Sequence, residues 1–142
     1  MARASTSSTT NSIGTPPYIG SSSPIISLEP VFDLKDEAGL KLFKGFAAQL
    51  TAKVASGIAD GTETGVVKYA FTITEDGKLA RCQEDYVDAL ALLAHLGNVG
   101  SVLGEATKAF TIKSLDCHGP KAEIAKLKDA LTPMGCVFWE TL

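Results

Sequence analysis

The chain has 142 residues, 45% hydrophobic and 20% charged, with a formal net charge of -3, which suits one globular domain large enough to bury a real core. A mildly acidic chain with an isoelectric point near 5.3 carries no electrostatic footprint for nucleic acid or an anionic membrane surface, and no apolar run approaches the ~20 residues needed to cross a bilayer. Three scattered cysteines, Cys82, Cys117 and Cys136, form no CxxC pair, so neither a disulfide framework nor a zinc ribbon is expected, and the thiols read as buried residues of a reducing compartment.

Residues 1–27 hold twelve Ser or Thr, three Pro and a single charge, Arg3. Such a composition cannot offset the entropy of ordering it. A flexible leader is expected there, in a cytoplasmic protein. The alternative is an organelle transit segment, since these are rich in Ser and lack acids. Residues 28–142 are expected to form the domain. Residues 28–34 read as a short strand, with Pro30 suiting an edge or a strand start. Residues 36–60 read as a helix, because Phe43, Phe46, Ala47, Leu50, Val54 and Ile58 recur at spacings of three and four. Asp36 and Glu37 suit its positive N-terminal end. Residues 65–74 alternate strictly: Val67, Tyr69, Phe71 and Ile73 face one way, Val66, Lys68, Ala70 and Thr72 the other. The Asp-Gly signal in 75–78 marks a hairpin turn, and 79–86 is the return strand.

The stretch EDYVDALALLAHLGNVGSVLGEA, 84–106, reads as a helix that ends at Gly97 and restarts as a short helix over 99–106, capped by Asn98. On a 100° wheel Tyr86, Ala89, Leu90, Leu93 and Leu96 form its core stripe, and Asp88, Ala91 and His95 fall opposite. Residues 109–117 are a strand. Residues 119–131 are a helix with Pro120 at its first position, where the missing N–H costs nothing. Residues 136–142 are a last strand. The order β-α-β-β-α-β, then a short helix and a strand, is that of the ferredoxin-like split βαβ: an α+β fold with an antiparallel sheet and both long helices on one face. The strands also place apolar residues on the other face, Val66 and Ala70 opposite Tyr69 and Phe71, and Trp139 opposite Phe138. A second copy, closing two sheets into a barrel about a two-fold axis, is the economical cover for it.

The run from the third strand into the second helix resembles the dimeric α+β barrel superfamily, and within it the antibiotic-biosynthesis-monooxygenase-like (quinol monooxygenase-like) branch. Glu84, Tyr86, Asp88, Ala89, Leu90, Ala94, His95, Leu96 and Asn98 carry the likeness, which spans about 28–142. The resemblance implies a homodimer and a cavity near a histidine of this helix. It does not fix an activity, because relatives range from cofactor-free monooxygenases to haem-degrading enzymes and lactone isomerases.

Two accounts of His95 stand side by side. In the structural one it meets the last carbonyls of a helix and the negative end of its dipole. In the functional one small Ala91 and Ala94 leave room for a pocket, with His95 as acid–base group and Asn98 and Tyr86 as orienting or oxyanion donors. Tyr69, Phe71 and Trp139 are candidates to line an aromatic cavity, or plain core. Arg81 suits an anionic substrate or a surface ion pair. Glu84 and Asp85, adjacent in a strand, point to opposite faces and cannot act as a paired acid and base. His118, beside Gly119 and Pro120, reads as a loop residue. There is no metal-binding, phosphate-loop or nucleophile-elbow motif. The function expected is a small-molecule enzyme of the cofactor-independent monooxygenase-like kind, acting on a small aromatic, quinol-type or enolisable substrate without cofactor or metal. The alternative is a non-catalytic dimeric ligand-binding or scaffold protein, and behind it haem binding through His95.

Overall fold

The structure, a computed structural model, describes residues 17–142. Residues 1–16 of the expected leader lie outside them. After one 3-10 turn, Gly20–Ser22, the elements run β1 Ile26–Asp33, α1 Glu37–Asp60, β2 Val66–Ile73, β3 Leu79–Tyr86, α2 Ala89–Ala109, β4 Thr111–Gly119, α3 Lys121–Ala125, α4 Lys128–Leu131, a 3-10 turn Thr132–Met134, and β5 Val137–Glu140. The sheet order is β2-β3-β1-β4-β5. β1 pairs antiparallel with β3 and β4, and β2 with β3. This is the expected α+β, ferredoxin-like sheet with both long helices on one face. One pairing departs from the expectation: β5 runs parallel to β4, because the α3–α4 segment carries the chain back across the face before the strand begins.

Local chemistry sets the helix ends. Asp36 caps α1 by accepting from the Gly39 N–H at 2.8 Å, and Gly61 ends it in the left-handed region, at φ 83°, which a side chain would resist. Phe43, Leu50, Val54 and Gly57 form the buried stripe of α1, whereas Ile58 is exposed. Asp88 caps α2 by accepting from the Ala91 N–H at 2.9 Å, and Glu123 accepts from the Ala89 N–H at 2.9 Å. Between β1 and the helices, Ile26, Leu28, Tyr86, Leu92, Leu115, Ile124, Leu127 and Leu131 form the largest buried cluster, each large apolar side chain contributing about 1.5–3 kcal/mol by leaving water.

Several expectations need correction. α2 does not break at Gly97: it is one helix of 21 residues, and Asn98 is not a cap. Leu92, His95, Val99 and Ala106 are buried along one stripe, so packing carries the helix through its glycines. The wheel is turned accordingly, with His95 on the inner side and Leu90 exposed. This helix is also long and apolar enough, by composition alone, to cross a membrane, contrary to the expectation that no stretch comes near that length. Here its apolar stripe is spent on the domain's own core. Pro30 lies in the central strand, paired to Leu115 of β4. Pairing with β3 lapses across Glu29 and Pro30, as a residue without an N–H requires. The outer sheet face is more polar than expected. A bulge between Val66 and Lys68 turns Val66 onto the core, and Arg81, Gln83 and Asp85 share the outer parity of β3. Trp139 and Val137, 53% and 52% exposed, are the large apolar residues at its β5 edge.

Candidate active site

β3 alternates, and its inner parity holds Ala80, Cys82, Glu84 and Tyr86, all buried. A carboxylate on that face is out of place unless it is partnered. Its partner is His95, 2% exposed, whose Nε2 lies 3.5 Å from Glu84 Oε1. The Tyr86 hydroxyl donates to the same oxygen at 2.5 Å. On the other side of the ring, His95 Nδ1 lies 2.9 Å from Oε1 of Glu63. The side-chain amide of Asn98 donates to Oε2 of Glu63 at 2.6 Å and to the Lys53 carbonyl at 3.1 Å. Glu63 sits in the short loop between α1 and β2, held by its N–H donating to the Gly57 carbonyl at 3.0 Å. The loop comes this close because Gly57 has no side chain: a Cβ there would stand 2.5 Å from Asn98 Nδ2 and 3.2 Å from Glu63 Cγ.

Two carboxyls and an imidazole are thus strung in a line, Glu84–His95–Glu63, with the rings of Tyr69 and Tyr86 flanking the imidazole at 5.1 and 5.3 Å. The line opens on a cavity of about 30 Å³ between sheet and helices. Its walls are apolar, from Leu28, Phe32, Leu50, Phe71, Val99 and Met134 among others, and its polar end is Tyr69, Cys82, Glu84 and His95. Burial pushes Glu84 up to about 7 against the hydrogen bonds from Tyr86 and Cys82 that favour its anion. Burial lowers His95 from its ordinary value, against the opposing pull of Glu63. The Tyr69 hydroxyl is raised by burial first, then by Cys82 and Glu84, and the Cys82 thiol by burial first and the Glu84 carboxyl next. A low-dielectric site in which burial favours the neutral forms of Glu84 and His95 is equipped to move protons on an uncharged molecule.

No family model matches the chain, and no curated protein matches it. Among solved structures, MupZ from Pseudomonas fluorescens is 30% identical, with a TM-score of 0.72 over 83% of this chain and 90% of that one. The chain belongs to the dimeric α+β barrel superfamily, in its antibiotic-biosynthesis-monooxygenase-like branch. Two more distant structures have the same fold. Rv0793 from Mycobacterium tuberculosis is 19% identical, with a TM-score of 0.53 over 68% of this chain and 94% of that one. A conserved protein from Methanosarcina mazei Go1 is 11% identical, with a TM-score of 0.56 over 68% and 93%.

In this monooxygenase-like chain the residues singled out from sequence fall into three groups. His95, Tyr69 and Phe71 line the cavity. Tyr86 and Asn98 do not line it; they hold Glu84 and Glu63, the carboxyls on either side of the imidazole. Arg81 and Trp139 are elsewhere. Arg81 is exposed beside Val31 and Thr72. Trp139 stacks on His118 at 5.8 Å and donates from Nε1 to Asp116 at 2.9 Å. Glu63 and Glu84 were not among the expected site residues. The parity of β3 carried a signal for Glu84, a charge at an apolar position. Nothing local marks Glu63, which meets His95 only through the fold.

Proposed function

We propose that this protein is a small-molecule enzyme of the cofactor-independent monooxygenase-like kind, working as a homodimer on a small aromatic, quinol-type or enolisable substrate in the cavity beneath α2. The observation that carries this reading is His95, buried between two buried carboxyls at the polar end of an apolar cavity. Burying ionisable groups in this way costs several kcal/mol even when they are partnered, and such clusters concentrate where protons are moved. A non-catalytic scaffold would instead be expected to fill the space and leave the histidine in solvent. His95 takes the proton of an acidic O–H or C–H bond. The anion left behind, delocalised between oxygen and carbon and shielded from water, gives its electrons to molecular oxygen as co-reactant, one atom of which joins the substrate carbon while the other leaves as water. Haem fits these residues poorly, since both ring nitrogens of His95 already face carboxyls.

A cavity of about 30 Å³ holds roughly one or two water molecules, whereas small-molecule sites run to roughly 300 Å³ or more. Substrate entry therefore moves a wall. Met134, 37% exposed and lining the cavity, stands between it and solvent, and a flexible thioether is the residue type that yields most easily. The test is calorimetry and oxygen uptake with small quinols and phenols. His95→Gln should lose turnover by about 100-fold, the usual contribution of a general base, with little loss of affinity. Absence of binding by every compound, together with variants altered only in stability, would overturn the reading.

A further inference from the structure

Glu84 is the one carboxyl that both lines the cavity and faces His95. We infer that Glu84 is the acid of a two-residue acid–base pair: it gives a proton to a substrate oxygen while His95 takes one from the neighbouring carbon, so the site's substrate is an uncharged carbonyl compound with an acidic C–H. The inference rests on the function proposed above and names the substrate class and the second catalytic residue.

The hydrogen bonds fix which nitrogen is the base. Glu63 accepts from Asn98 on one oxygen and faces His95 Nδ1 with the other. A carboxylate held as an acceptor on both sides places the ring proton on Nδ1 and leaves the Nε2 lone pair facing Glu84. Glu84 Oε1 already accepts from Tyr86. Two acceptors facing each other at 3.5 Å repel unless one of them carries a proton. Burial favours the neutral form of each group, so the proton resides on Glu84 and the imidazole is uncharged. The other titratable groups around the pair are Cys82 and Asp85 on β3, Tyr86 at its end, Tyr69 on β2 and Glu63 in the loop before it. None of these is cationic, no Lys or Arg among the described residues lines the cavity, and Lys53 offers only its carbonyl. An anionic substrate would meet carboxyls and no counter-charge, so it is excluded by electrostatics.

The step balances within the site. The C–H bond next to the carbonyl breaks and its proton goes to His95 Nε2. That electron pair forms the C=C bond as the carbonyl π pair takes the Glu84 proton to form O–H. The enol is left beside a Glu84 carboxylate and a His95 imidazolium, the latter stabilised by Glu63. Proton transfer from Nε2 to Glu84 restores both groups. No oxidant is consumed. Glu63, Asn98 and Tyr86 are positioning residues, since they act through the pair.

The experiment has a ligand-free arm and a ligand arm. In the free protein, infrared spectra across pH should show a protonated-carboxyl band that fades as the pH rises through about 7 and that is missing in Glu84→Gln. With 1-indanone in heavy water, NMR should show accelerated exchange at the carbon next to the carbonyl. Glu84→Gln and His95→Gln should each slow it by about 100-fold, with indanone affinity changed less than about threefold. Glu63→Gln should shift the pH profile of exchange. Indane-1-carboxylate should bind more weakly than the ketone. Absence of the band, exchange unaffected by Glu84→Gln, or tighter binding of the carboxylate would each overturn the inference. Quinol oxidation that survives Glu84→Gln would do so while leaving the proposed function standing. Failure of the wild-type protein to bind any ketone, quinol or phenol would sink both.

Discussion

A carboxyl at an apolar strand position makes Glu84 the group whose pH response is easiest to isolate. Its ordinary value is 4.5, and the fold moves it to about 7. Between these two pH values the native state keeps a proton that the unfolded chain has released, so stability falls as pH rises through that window and is spared below it. His95 is shifted the opposite way, lowered by burial. The native state therefore resists protonating it, and that contribution falls as pH drops below its ordinary value of 6.5. Glu84→Gln removes the first dependence and keeps the second. Its amide oxygen still accepts from Tyr86. The variant should therefore gain on the wild type between pH 5 and pH 8, by up to roughly 3 kcal/mol for a shift of this size. Denaturant melts at the two pH values check this, and an offset that stays constant would contradict it. Of the residues in the line, His95 was legible from its place on a helix and from the family resemblance. Glu84 was legible in principle from strand parity. Glu63 was not, because a loop acid between Gly61 and Gly65 resembles any solvated acid until the fold buries it.

At the scale of elements, periodicity was a sound guide wherever one force dominated. The stripe of α1 and the alternation of β2 and β3 are hydrophobic signals, and the strand order follows from them. The failures occurred where two forces compete. Gly97 reads locally as a helix stop, yet the buried stripe on both sides of it outweighs the roughly 1 kcal/mol that an interior glycine costs. The two helices now offer a contrast. A Cβ at Gly97 meets nothing within 4 Å, so Gly97→Ala should stabilise by about 0.5–1 kcal/mol. A Cβ at Gly57 would collide with Asn98 at 2.5 Å, so Gly57→Ala should cost about 1–3 kcal/mol. It should also weaken catalysis by pushing Asn98 and Glu63 off His95. Thermal melts of the two variants, beside one activity assay, separate the effects. Equal stabilities would show that α1 can shift to accommodate the methyl group.

For the whole molecule, the two sheet faces carry different information. The inner face encodes the domain, and its alternation is plain in the sequence. The outer face mixes Arg81, Gln83 and Asp85 with Val137 and Trp139 at its edge, so sequence patterning overstated its apolar character. The homodimer proposed above would cover this face and bury well over the ~1,600 Å² of a specific interface. Light scattering at micromolar concentration should return twice the mass of the 14.9 kDa chain. A monomer mass would refute the assembly and leave the cavity chemistry untouched.

The three free cysteines order the protein's chemical ageing. Cys82 and Cys117 are buried and Cys136 is only partly so, and burial raises all three thiols, Cys136 to about 11 and Cys117 to about 12. Thiolate is the reactive form and is scarce in each, least so at Cys136. An electrophile or oxidant therefore meets Cys136 first, just before β5 and outside the Glu84–His95–Glu63 line. Cys82, hydrogen-bonded beside Glu84 and lining the cavity, should react only once the cavity opens to the reagent. Its modification rate is a built-in clock for the opening of the cavity, and damage there reports that the site has already been breached.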